Sequence, residues 1–116
     1  MSISFKGYGE NALTFNAELT KAGVPVVING NYMVSTAAAE NDFVGITYSA
    51  NGEYASVIVD GYVEATYTGN APALGYSYIV ANGSGGVKVP ASGTTSKHIV
   101  RVIKIDPDNK IVGFIL

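Results

Sequence analysis

The chain has 116 residues, with 7 Lys and Arg against 9 Asp and Glu for a formal net charge of −2. That is one domain's length, enough to bury a core without a metal or disulfide staple. The lack of cysteine excludes thiol catalysis, iron–sulfur clusters and cysteine zinc sites, and the slightly acidic balance argues against a basic nucleic-acid grip. Charged residues make up only 14%, against about 25% in ordinary domains, and mean hydropathy is +0.24. Either a neutral Ser/Thr/Asn/Gly surface replaces the missing charge, or, the reading favoured, part of the surface is covered in an oligomer or assembly. No apolar run approaches the roughly 18 residues of a membrane helix. Met1-Ser2-Ile3-Ser4-Phe5-Lys6 lacks the apolar stretch of a signal peptide.

In chain order, Met1–Asn11 shows no alternation and reads as an N-terminal arm ahead of a single β domain over residues 12–116. Its apolar anchors are Ile3, Phe5 and Tyr8. Ordering costs about 1–2 kcal/mol per residue, which is comparable to what three buried side chains return. The arm is thus expected to stay loose until it gains a neighbour's surface. Val24–Ile28 and Tyr32–Ser35 flank the turn Asn29-Gly30-Asn31, and Pro25 marks a strand start or sheet edge. Thr36–Glu40 is the one helix-like stretch, about one turn long.

Phe43–Ser49 and Glu53–Val59 flank Asn51-Gly52, a pair suited to a type I′ hairpin turn. That register sets Val44 opposite Val59, Ile46 opposite Val57 and Tyr48 opposite Ala55 on the core face. Thr47 and Ser56 go to the other face. Asp60-Gly61 leads into Tyr62–Thr68 and completes a meander. Tyr76–Val80 reads as a strand between flexible flanks. Asn82–Gly86 is too glycine-rich to hold a shape without outside contacts. The last hairpin runs His98–Ile105, Pro107-Asp108-Asn109, Lys110–Leu116. A left-handed Asn109 and a bulge would put Ile105 opposite Ile111 and Val102 opposite Phe114. Short Val/Ile/Tyr/Thr runs between glycine-rich turns predict an all-β fold, a small β-barrel or β-sandwich-like single domain with at most one short helix.

The residues offer little chemistry. His98 is the lone histidine, reads as a strand-end residue, and has no Gly-x-Ser-x-Gly motif to serve. The acids are scattered, and nothing makes a pair converge as glycoside hydrolysis requires. Asp106-Pro107-Asp108-Asn109 begins like a calcium loop, but Ile111 stands where the loop needs glycine. Gly83–Gly86 precedes the extended Val87-Lys88-Val89-Pro90, whereas a phosphate loop opens a helix. Lys97, Arg101 and Lys104 lie at mixed parity and should split between faces. No catalytic, metal or cofactor-binding residue is expected, and no enzyme. Tyrosine is the enriched type, with eight copies, and its amphipathic ring suits interfaces. Tyr54 and Tyr76 join Ile3, Phe5 and Tyr8 as interface candidates.

One pattern spans Lys21 to Tyr67. Lys21-Ala22-Gly23-Val24-Pro25-Val26-Val27-Ile28-Asn29-Gly30 is followed by Asn41-Asp42-Phe43-Val44-Gly45-Ile46, then by Tyr54-Ala55-Ser56-Val57-Ile58-Val59-Asp60-Gly61-Tyr62-Val63-Glu64-Ala65. It resembles the small β proteins that decorate or cement the capsids of tailed phages. The tyrosine-rich stretch Tyr76–Val80 and the loop Asn82–Gly86 depart from that pattern. The resemblance implies a non-enzymatic virion structural protein on the outer capsid surface, made in the bacterial host cytoplasm. It implies the phage major capsid protein as partner and a homo-oligomer, a trimer for preference, with no nucleic acid and no membrane. The alternative is a carbohydrate-binding or adhesin-like β module using tyrosines with Asn29, Asn31 and Asn51.

Overall fold

The computed structural model describes residues 4–91 and 99–116. Ile3, Lys97 and His98 lie outside the described residues. The fold is all-β, as the turn spacing predicts. Among the described residues eleven strands run β1 (Asn11–Asn16), β2 (Pro25–Gly30), β3 (Met33–Thr36), β4 (Gly45–Ala50), β5 (Tyr54–Asp60), β6 (Tyr62–Thr66), β7 (Gly75–Tyr78), β8 (Val80–Ala81), β9 (Val87–Lys88), β10 (Ile99–Asp106) and β11 (Ile111–Ile115). The first five close a barrel in the order β1-β3-β2-β4-β5. Beside it lies a four-stranded sheet, β6-β11-β10-β7, and β8 pairs with β9. The stretch Thr36–Glu40 forms no helix. Thr36 ends β3, and Glu40 has a φ of 69°, which breaks any helical turn.

Two cores result. Val24, Val26, Val34, Ala55 and Val57 fill the barrel with Ala17. Phe43, Ile46, Ile58, Val63, Ile79, Val87, Val100, Val102, Val112 and Phe114 belong to a second core that joins the barrel's outer wall to the sheet. Phe43 and Phe114 meet there edge to face, with ring centroids 6.3 Å apart. Strands β4 and β5 therefore carry apolar residues on both faces, Val57 into one core and its neighbour Ile58 into the other.

That double burial corrects the expected hairpin register. Ile46 pairs with Ile58 and Thr47 with Val57. Tyr48 is bulged out, and Ser49 then pairs with Ser56 and Ala50 with Ala55. Thr47 is buried, while Val44 and Tyr48 are exposed and Val59 is half-buried. The turn explains the shift. Gly52 has a φ of 92°, whereas Asn51 has no positive φ. Gly52 and Glu53 are the central residues, the pattern of a type II′ turn with glycine first. Asn51 instead lends its side chain, accepting from the N–H groups of Glu53 and Tyr54 at 3.0 and 2.8 Å.

The C-terminal hairpin keeps Val102 opposite Phe114 but pairs Ile105 with Val112, and Asp106 faces Ile111. The left-handed residue is Lys110, at φ 56°, not Asn109. The bulge falls at Ile103, in mid-strand rather than at the turn. Asn82–Gly86 is held both from outside, where the Asn82 amide donates to Thr68 Oγ1 at 3.3 Å, and from within. The Asn82 side chain accepts from the N–H groups of Ser84 and Gly86, and Asn82 N–H reaches Gly86 O. That tether supplies the shape the glycines lack.

Candidate functional site

The outer face of the four-stranded sheet follows from its register. Cross-strand partners share a face, so Tyr76, Arg101, Ile115 and Tyr62 form one row across β7, β10, β11 and β6. Tyr78 pairs with Ile99 beside it. The opposite face carries Val100, Val102, Val112, Phe114 and Val63, all buried. On the outer face Tyr76 is 75% exposed, Tyr78 52% and Ile99 50%. This is an open, aromatic and aliphatic surface with Arg101 in its middle, bordered by the four-residue strand β7.

The bulge at Ile103 adds to it. By parity alone Arg101 and Lys104 would point to opposite faces. The extra residue brings both to the outer face, where Arg101 pairs with Ile115 and Lys104 with Gly113. Lys104 Nζ lies 3.2 Å from Glu64 Oε2, and the Tyr62 hydroxyl donates to the same oxygen at 2.7 Å. The Tyr62 ring lies over Gly113, where any Cβ would run into its hydroxyl and ring carbons. Burial, then the bond to Glu64 and its charge, pushes the Tyr62 phenol well above the ordinary tyrosine range. Burial pushes the Glu64 carboxyl up, but the hydrogen bonds from Tyr62 and Lys104 and the charges of Lys104 and Lys6 outweigh it, so its pKa is lowered.

The N-terminal segment borders this face. Phe5 packs edge-on against Tyr62, with centroids 5.7 Å apart, and Tyr62 N–H donates to Tyr8 O at 2.9 Å. The chain crosses here at Gly61, whose φ is 101°. A Cβ on Gly61 would sit 2.6 Å from Tyr8 O and 2.5 Å from Gly9 O, so only glycine lets the two backbones approach. Phe5 is 40% and Tyr8 63% exposed.

The interface candidates thus fall into two places. Phe5, Tyr8 and Tyr76 border or lie on the outer sheet face, whereas Tyr54 stands at the end of β5 opposite Asn16 of β1. Ile3 is outside the described residues. Tyr78, Ile99 and Arg101, none of them an interface candidate from the sequence, complete the sheet surface. The alternation Tyr76-Ser77-Tyr78 was the signal for the first of them. Among the described residues no group of three His, Cys, Asp or Glu side chains could hold a metal ion, and no helix is long and apolar enough to cross a membrane. No protein-family model matches the chain, and no curated protein matches it.

Proposed function

We propose that the chain is a capsid decoration protein of a tailed phage, a non-enzymatic virion structural protein that binds the outer surface of the shell and stabilises it. The observation that carries this reading is the open sheet face of Tyr76, Tyr78, Ile99 and Arg101, bordered by Phe5. An aromatic surface with an arginine at its centre suits docking on another protein. The low charge of the chain and the pattern over Lys21 to Tyr67 support the same reading. The partner is the major capsid protein, and the protein acts as a homo-oligomer, with a trimer favoured.

The test starts from the gene's neighbourhood, which supplies the shell. Empty shells of the adjacent major capsid protein are mixed with the purified chain and pelleted. The wild type is expected to pellet with the shells and to raise their melting temperature. A Tyr76→Ser, Ile99→Ser double variant, whose sites are exposed, should keep its own melting temperature but remain in the supernatant. A gene far from any capsid gene, or wild-type protein that never pellets, defeats the reading.

A further inference from the structure

The barrel closes weakly at one place. Strands β1 and β3 are joined by a single parallel pair, Asn16 with Met33, and by Asn16 N–H donating to Tyr32 O at 2.7 Å. Beyond it the chain leaves β1 through Ala17 and Glu18, and β3 continues without a partner on that side among the described residues. A cleft of about 780 Å³ opens along this seam. Ala17, Leu19, Met33 and Val34 supply apolar wall, and its polar lining is Asn16, Glu18, Asn29, Ser35, Thr36 and Glu53. None of these six side chains makes a hydrogen bond or ion pair with another described residue. A cleft with this much unspent hydrogen-bonding capacity is suited to a ligand that carries many hydroxyl groups.

Two exposed tyrosines adjoin its lining residues along the chain without lining it themselves. Tyr54 follows Glu53 and is the cross-strand partner of Asn16, so it shares Asn16's face. Tyr32 precedes Met33 and is 80% exposed. Its φ is 61°, a left-handed conformation that a bulky residue adopts under strain. The preceding residues are Asn29, Gly30 and Asn31, which tolerate that conformation better, yet the turn places it on the tyrosine. Strain held at an exposed side chain that supports no core points to a use for that side chain.

We propose that the β1–β3 seam is a carbohydrate-binding cleft that takes a neutral oligosaccharide. Tyr32 and Tyr54 supply rings for the apolar faces of the sugars. The Asn16 and Asn29 amides and the Glu18 and Glu53 carboxylates bind hydroxyls, the carboxylates as acceptors and the amides as both donor and acceptor. No lysine or arginine lines the cleft, so two carboxylates face the ligand uncompensated and an anionic sugar is disfavoured. This site lies on the barrel, on other elements than the sheet face assigned to capsid docking, so each can fail without the other.

The test is an array of neutral glycans (β-glucans, mannans, galactans and chitooligosaccharides) probed with the full chain, followed by calorimetric titration of the best soluble ligand. Binding is expected, and Tyr32→Ala and Tyr54→Ala should each weaken it about tenfold or more. Tyr32→Asn is the decisive variant, because asparagine accepts the left-handed backbone. It should lose the same affinity while its melting temperature holds or rises. The proposal is overturned if no neutral glycan binds, if the cleft takes only an extended peptide, or if binding survives the loss of both rings. A Tyr32→Asn variant that melts lower and binds unchanged would also overturn it, since the ring would then be structural.

Discussion

At the scale of single residues, Glu64 is the clearest case of environment deciding chemistry. It is a half-buried acid on an outer sheet face, held by a phenol and an ammonium at 2.7 and 3.2 Å. Its sequence neighbours give no hint of this. Val63 and Ala65 point into the core, and the partners come from Lys104, forty residues on, and from Tyr62 two residues earlier. The lowered carboxyl pKa has a stability consequence. A carboxyl whose pKa falls on folding stabilises the fold above its unfolded value, and the gain is lost as pH drops through the folded value. Wild type should therefore exceed Glu64→Gln in melting temperature at neutral pH. The gap should close as pH falls below the ordinary value of 4.5. Parallel melting curves between pH 2 and 7 check this, and a constant gap would mean that Glu64 is not held as described.

Among elements, the β4–β5 hairpin separates what a sequence can and cannot give. Its existence, its turn and its flanking strands are all legible from Asn51-Gly52 and the Val/Ile/Thr runs. Its register is not, for two physical reasons. Asn51 serves through its side chain rather than its backbone, which moves the turn by one residue. The bulge at Tyr48 then shifts the frame again. Alternation could not correct the error, because both faces of the hairpin are buried. The same holds at Ile103, where a bulge invisible in the sequence decides which face carries Lys104. Strand β1 carries no burial signal in the sequence, because it closes the barrel through backbone pairing with β5 while its side chains are almost all exposed. The cleft was only partly legible. Asn29 stood out as a turn amide, but Asn16, Glu18 and Glu53 reach the cleft from segments far apart in the chain.

Thr47 shows what the corrected register does. Its hydroxyl, buried beside Val57, accepts from Val24 N–H at 3.0 Å and donates to Lys21 O at 2.9 Å. It pins the segment before β2 onto β4. Thr47→Val keeps the shape but strands a buried N–H, and should cost about 1–3 kcal/mol. Thr47→Ser keeps both bonds and should lose only the methyl, about 1 kcal/mol or less. Urea titrations of the two variants distinguish the cases. Equal losses would show that packing at this site, not the hydroxyl, holds the segment.

For the molecule as a whole, the N-terminal segment is the part whose contribution is least obvious from composition. Among the described residues, neither core includes a side chain before Phe15. By that measure residues 4–10 are dispensable to the fold. Yet residues 4–10 are seated at one spot, where Tyr62 N–H meets Tyr8 O, Gly61 admits the crossing backbone, and Phe5 covers the Tyr62 ring. Removing residues 1–9 strips that ring of its cover and leaves one backbone donor without its partner. The barrel and the sheet-facing core stay intact. Losing one partly buried phenylalanine and one hydrogen bond amounts to about 1–3 kcal/mol. The truncated chain should therefore unfold in a single transition, at a lower denaturant midpoint with an almost unchanged slope. An unchanged midpoint would mean that the segment is not seated in solution and orders only against a neighbour. A broad or missing transition would mean that β1 cannot close the barrel without it.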